Sequence, residues 1–148
     1  MTDSPAEKNI ALVEDFLDAL GRFDFERLEA LATEDIVFTI PFGPAEFTAH
    51  VQGRDEWFAV VRGWSEQLNG TENLHDLRVD ALSSTPDELV SFYSSDMEMK
   101  NGYHYTNAYI GRFVVRDGRV ARFDEYFDSL PFVRSLGGTV TVPGSGQA

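Results

Sequence analysis

The sequence predicts an α+β domain in which a curved, mostly antiparallel sheet and three helices enclose a conical pocket, a cystatin-like roll. Three observations carry this. Apolar residues recur at helical spacing through most of the first half of the chain, interrupted by one strand-like run. From Asn73 onward the chain reads as strands. Asn101-Gly102 and Asp117-Gly118, the strongest short hairpin signals, divide that second half into a meander.

Ser4-Pro5-Ala6-Glu7 opens the first helix with an N-cap Ser, a Pro at the first helical position and an acid in the first turn. Ile10, Val13, Phe16, Leu17 and Leu20 form its apolar face, and Gly21 ends it. Asp24 caps a second, short helix with Leu28, Leu31 and Ala32 on its apolar side. Ile36–Ile40 is a strand, broken by Pro41, Gly43 and Pro44, and a loop runs to about Gly53. Arg54-Asp55-Glu56-Trp57 opens a third helix with Trp57, Val60, Val61, Trp64 and Leu68 on one face, ended by Asn69-Gly70-Thr71. Four strands follow. The first is Asn73–Ser83, with a turn at Thr85-Pro86-Asp87. The others are Glu88–Lys100, Tyr103–Val115 and Gly118–Phe127. Leu130–Leu136 reads as a helical turn. Residues 1–137 are expected to form a single domain and 138–148 a loose tail, in which Thr139–Val142 is able to pair with a neighbour.

Composition sets the bounds. The chain has 148 residues, the length of one domain. A domain of that size buries roughly 70% of its unfolded surface. Twelve Phe point to a core or cavity with many ring walls. Lys and Arg number 12 against 25 Asp and Glu, a net charge of −13, which repels nucleic acid and anionic membranes. There is no cysteine, so disulfides, thiol catalysis and zinc–thiolate sites are excluded, and a reducing cytoplasm is the expected location. The first residues lack the pattern of a signal peptide, and no run is long enough to span a membrane.

Alternation decides which side chains enter the pocket. Tyr103, Tyr105, Asn107, Tyr109 and Phe113 share one face of their strand, and Phe123, Glu125 and Phe127 share one face of the last. Arg122, Asp124 and Tyr126 take the other.

Three stretches, IVFTIPFGPAEFTAHVQGRDEW, YHYTNAYIGRFVVRDGRVARFDEYF and DSLPFVRSLG, together resemble the nuclear transport factor 2-like superfamily. Within it they resemble the SnoaL-like branch of polyketide cyclases, phenazine biosynthesis A/B proteins and limonene epoxide hydrolase. The resemblance runs from about Pro5 to Gly137. It implies a conical pocket for a small apolar or aromatic-like molecule, often in a homodimer formed through the sheet, and no cofactor or metal. The superfamily holds isomerases, cyclases, hydrolases and non-enzymatic carriers, so fold alone gives no function.

In the cyclases of this branch the acid/base sits seven residues after the turn Gly of the last hairpin, and counting from Gly118 gives Glu125. A physical argument reaches the same residue. A Glu flanked by Phe123 and Phe127 is desolvated, and desolvation raises a carboxyl pKa toward working pH. The plain alternative is a Glu paired with an Arg or sitting at the rim. The site of ketosteroid isomerase matches Ile40, Phe16 and about Tyr109 here, so its base and its first-helix donor are missing. The epoxide hydrolase set matches Glu125, and Asp96 if a hairpin loop is two residues shorter. Its Arg, Tyr and Asn then fall on Ser94, Phe38 and Ile40. Cyclases and phenazine-type proteins need less: a pocket, one carboxylate and a donor for an oxyanion. Asn107, with Tyr105 or Tyr109, is the expected donor, since a bare amide among rings needs a partner.

Glu125, Asn107 and Asp96 are thus the candidate catalytic residues. Tyr105, Tyr109, Phe16, Phe38, Ile40, Trp57, Trp64, Phe123 and Phe127 are the candidate substrate contacts. Trp57 and Trp64, seven apart on one helix face, are either core or a ring wall. His50, His75 and His104 are too separated for a metal site and are expected at surface or structural positions. The expected function is cofactor-free acid/base catalysis, cyclase- or isomerase-like, on a small carbonyl compound. The alternatives are a non-catalytic ligand binder, a domain with a vestigial pocket, and an epoxide hydrolase.

Overall fold

Ser4 opens the first helix as its sequence predicts. In the computed structural model, which describes residues 2–45, 47 and 50–144, its hydroxyl accepts from Glu7 N at 3.2 Å. The Glu7 carboxylate accepts from Ser4 N at 2.8 Å, closing a capping box. Helix α1 (Pro5–Gly21) then buries Val13, Phe16, Leu17 and Leu20. The helix ends at Gly21, as expected, with Arg22 as its C-cap. A side chain there would meet Leu74 at 3.0 Å, so the residue is small because a neighbour approaches closely. Asp24 caps α2 (Phe25–Leu31), and Ala32 begins the next strand instead of completing the helix.

Six strands make one sheet: β1 (Ala32–Thr39), β2 (His50–Gln52), β3 (His75–Leu82), β4 (Thr85–Glu98), β5 (His104–Arg116) and β6 (Arg119–Phe127). Their spatial order is β2-β1-β6-β5-β4-β3. All neighbours are antiparallel except β1 and β6. The parallel pair is reached through helix α3 (Arg54–Ser65) and the meander. Helix α4 (Ser129–Ser135), capped by the Asp128 side chain, follows β6. No helix among the described residues is long and apolar enough to cross a membrane.

Three local expectations change. The loop after Pro41 contains β2, too short to show alternation. The turn between β3 and β4 is Ser83-Ser84, with Leu82 opposite Thr85. Pro86 lies just inside β4, where the ladder slips from Ala81↔Leu89 to Leu82↔Thr85. That irregularity takes the residue that has no N–H to donate. Residues 138–144 form no strand, and 145–148 lie outside the described residues.

The core sits between α1, α3 and the concave face of the sheet. Phe16 stacks on Trp57 at 5.4 Å and meets Phe113 and Phe123 edge-on at 5.8 and 5.6 Å. Phe16, fully buried, is therefore core and not a wall of the cavity described below. On the convex face Asp124 is 3% exposed. It accepts from Thr39 Oγ1 at 2.6 Å, Arg112 at 3.1 Å and Arg122 at 3.0 Å. Burial pushes its pKa up, but the donors from Arg122, Thr39 and Arg112 outweigh burial and leave it below the usual value. This ties β1, β5 and β6 together behind the site.

Gly111 holds the space between two strands. It pairs with Ser91 on β4 and Glu125 on β6. A Cβ there would come within 2.5 Å of Ser91 Oγ and 2.7 Å of Phe113 Cε2. We expect Gly111→Ala to destabilise the fold by about 1–3 kcal/mol through overpacking, measured by urea denaturation. Unchanged stability would show that the wall beside Glu125 gives way freely.

Candidate functional site

Between α3, α4 and the concave face of the sheet lies a cavity of about 500 Å³. Phe38 and Ile40 come from β1 and its end, Trp57 and Trp64 from α3, and Tyr105 and Tyr109 from β5. Phe123, Glu125 and Phe127 come from β6 and Phe132 from α4. Among the described residues no Lys, Arg or His lines it.

The phase of β6 brings Glu125 inside. A bulge between Val114↔Arg122 and Val115↔Val120 inserts Ala121 into the ladder. Beyond it Phe123, Glu125 and Phe127 point inward while Arg122, Asp124 and Tyr126 point outward. The Tyr93 hydroxyl, from β4, donates a short hydrogen bond to Glu125 Oε2. Burial pushes the Glu125 carboxyl from its ordinary 4.5 up to about 7, and the Tyr93 bond offsets part of that rise. Tyr93 stacks on its cross-strand partner Tyr109 at 4.9 Å. Burial, then the Glu125 charge, hold the Tyr93 hydroxyl well above its ordinary value, so it stays a donor.

Tyr105 and Tyr109 form a hydroxyl chain along the wall. Tyr109 Oη lies 2.7 Å from Ser95 Oγ and 3.5 Å from Tyr105 Oη. Burial pushes Tyr105 up to about 12. Asn107 stands behind this chain, outside the cavity lining. Its amide donates to Tyr105 Oη at 2.8 Å and to Asp128 O at 2.9 Å, and its oxygen accepts from Ala108 N. It positions Tyr105, and both acceptors of its amide hydrogens are protein oxygens. The candidate Asp96 falls on the opposite sheet face. Tyr93, Ser95 and Met97 take the buried phase of β4, so Asp96 points outward, half-exposed, 3.0 Å from His104. His104 also pairs with Glu98, outside the cavity. His50 and His75 are exposed as well.

Three contributors escaped the sequence reading. Tyr93 was legible in principle, as an inward residue of β4 opposite Tyr109. Phe132 sits on α4, whose register a seven-residue helix hardly reveals. Glu72, 8% exposed, lies in a segment without periodicity between α3 and β3 and lines the same cavity. Burial, then repulsion from Glu125, raise its pKa well above the ordinary value, and the Trp64 indole offsets this in part.

A curved sheet closed by helices over an apolar, acid-bearing cavity defines a class of conical α+β domains. This chain belongs to the SnoaL-like domain family, which matches residues 13–123. The match ends two residues before Glu125. Similar solved structures include an isomerase, so named provisionally, from Bacillus subtilis. It is 20% identical with a TM-score of 0.81 over 93% of this chain and 98% of that one. A provisionally named polyketide cyclase from Xanthomonas campestris is 20% identical with a TM-score of 0.77, covering 90% and 99%. A phenazine biosynthesis-related protein from Pseudomonas aeruginosa is 18% identical with a TM-score of 0.75, covering 96% and 94%. At such identities these likenesses show the fold alone.

The Glu125 environment has a thermodynamic consequence. Its folded pKa is raised above the unfolded value, so the folded state binds the proton more tightly. The favourable contribution is fully present below about 4.5 and is lost as pH rises through about 7. Glu125→Gln removes that dependence. We expect the variant to gain on the wild type by up to about 3 kcal/mol between mildly acidic and mildly alkaline pH. Denaturant titrations across that range measure it, and a pH-independent difference would mean that Glu125 is solvated in the folded protein.

Proposed function

We propose that this protein binds a small, mostly apolar carbonyl compound in the cavity and moves a proton on it without a cofactor, with Glu125 as the acid/base. The observation that carries this reading is one side chain. Glu125 lines an apolar cavity, titrates near 7 because it is buried, and has Tyr93 as its hydrogen-bond donor. A group poised near working pH both takes and returns a proton. In this reading the carboxylate removes a proton from the carbon beside the carbonyl. The negative charge that develops on the oxygen needs donors, and the Tyr105 and Tyr109 hydroxyls share the cavity with Glu125. Returning the proton to a neighbouring atom is an isomerisation. Attack of the carbanion on a second carbonyl is a cyclisation. The names of the similar proteins point the same way, and family membership sets no substrate.

A non-catalytic carrier is the second reading, favoured by the Tyr93 bond, since a carboxylate already held by a hydroxyl also serves to fix a ligand. The epoxide hydrolase reading loses ground. Asp96 faces away, and no Arg among the described residues lines the cavity to polarise a water between carboxylates. The reading includes cytoplasmic residence, supported by the lack of cysteine. It also includes a homodimer through the convex sheet face. There Phe92 and Ile110 pair across β4 and β5 and stand 41% and 45% exposed.

Deuterium exchange at the carbon beside the carbonyl, followed by NMR over a panel of aromatic and alicyclic ketones, tests the catalytic reading without knowledge of the natural substrate. At least one ketone is expected to exchange faster with protein than without. Glu125→Gln is expected to cut that acceleration by about 10²–10⁴. Acceleration that survives the substitution would remove Glu125 from the mechanism. Ligand binding without any acceleration would favour the carrier.

A further inference from the structure

The cavity carries a second carboxyl that the proposed chemistry does not use. Glu72 N donates to Gly21 O at 3.0 Å, and Glu72 O accepts from Asp96 N at 3.3 Å. Its backbone is thus tied to α1 and β4, and its side chain is delivered into the cavity. Among the described residues the Trp64 indole is the side chain that favours its charged form. A carboxylate accepts up to about four hydrogen bonds, so most of its capacity is unmet by the described residues. Burying such a group is costly, and an apolar residue of similar volume would relieve the cost.

The surroundings decide what meets that capacity. Glu125 is near enough to repel the Glu72 charge. The tyrosines Tyr93, Tyr105 and Tyr109 face the two carboxyls and remain neutral. No Lys, Arg or His among the described residues lines the cavity. The remaining walls are largely rings, whose faces carry negative potential. The net charge of −13 adds a long-range field of the same sign. An anion meets repulsion from the ring faces, the field and any ionised carboxyl, with only the tyrosine hydroxyls to offset it. A neutral molecule gains burial and hydrogen bonds alone. A cation gains from the carboxyls, the rings and the field together.

We infer that the carbonyl compound this cavity takes is compact, apolar and also bears one amine, its ammonium group seated on the Glu72 carboxylate and its body against Trp57, Trp64 and Phe127. The inference rests on the reading of the cavity as a small-molecule site and names the chemistry of the ligand. Burial, then repulsion from Glu125, raise the Glu72 pKa well above its ordinary value, and a seated ammonium lowers it again. Where the acid form meets the cation, the products are a carboxylate–ammonium pair and a proton released to solvent, so charge and atoms balance. Glu125 stays with Tyr93, available as the base.

Isothermal titration calorimetry of the full chain near neutral pH tests this with three probes of one shape: naphthylmethylamine, naphthylmethanol and naphthoate. Two buffers of different ionisation enthalpy count the protons. The amine is expected to bind at least about tenfold tighter than the alcohol, since each unit by which it lowers the Glu72 pKa is worth a factor of about 10 in affinity. Naphthoate is expected to be weakest. The amine is expected to release protons and the alcohol none. Glu72→Gln, which keeps the shape, should abolish both the preference for the amine and the proton release. An alcohol that binds as tightly as the amine would overturn the inference while the small-molecule site stands. Amine binding without proton release, or a preference that survives Glu72→Gln, would overturn it as well. If none of the probes binds, the small-molecule reading falls and this inference falls with it. If the variant does not fold, the proton count on the wild type decides.

Discussion

The site depends on the register between β5 and β6. Asp117 and Gly118 both take positive φ, 53° and 75°, as the tight hairpin between these strands requires. That turn and the bulge at Ala121 set the phase of every residue that follows. A slip of one residue would move Glu125 to the convex face and bring Asp124 and Arg122 inside. The strand therefore carries two carboxylates side by side with opposite fates. Asp124 is buried among Thr39, Arg112 and Arg122, and its pKa falls below the ordinary value. Glu125 is buried among rings with Tyr93 as its donor, and its pKa rises. The same side-chain chemistry is a structural clamp on one face and an acid of raised pKa on the other.

Much of this was legible in the sequence because it depends on short periods. The capping box, the Asn-Gly and Asp-Gly turns and the alternation along Tyr103–Val115 each need a few neighbouring residues, and each is present in the structure. Glu125 between Phe123 and Phe127 was reached from alternation and from the family spacing together. The errors arose where a side chain's environment depends on distant elements. Phe16 lies on the face of α1 that points inward, yet Trp57 from α3 covers it, and one helix cannot reveal what another will cover. Asn107 shares a strand face with Tyr105 and Tyr109. It stands near the end of α4's cap, where the Asp128 carbonyl takes its amide. Asp96 required an assumed loop length, and the actual register put it outward.

Glu72 was the hardest residue to foresee, and the reason is physical. The segment between α3 and β3 has no period, and its course is fixed by main-chain bonds to Gly21 and Asp96, residues remote in sequence. A lone Glu in a polar stretch reads as solvent-facing, as most do. Here it is 8% exposed.

Two carboxyls in one apolar cavity oppose the folding of the chain. Each loses hydration, and Glu125 makes Glu72 harder to ionise. The convex face shows that this chain can neutralise a buried acid, since it surrounds Asp124 with two guanidinium groups and a hydroxyl. It supplies no such cation to Glu72 or Glu125 among the described residues. The contrast lies within one sheet, so solvent, temperature and unfolded chain are common to both faces. What differs is that Asp124 is met by guanidinium groups on its own sheet face, while the acids of the cavity are met by rings and hydroxyls. On the reading of the cavity as a ligand site, a partner of the right charge offsets the cost of burying these acids and a partner of the wrong charge adds to it.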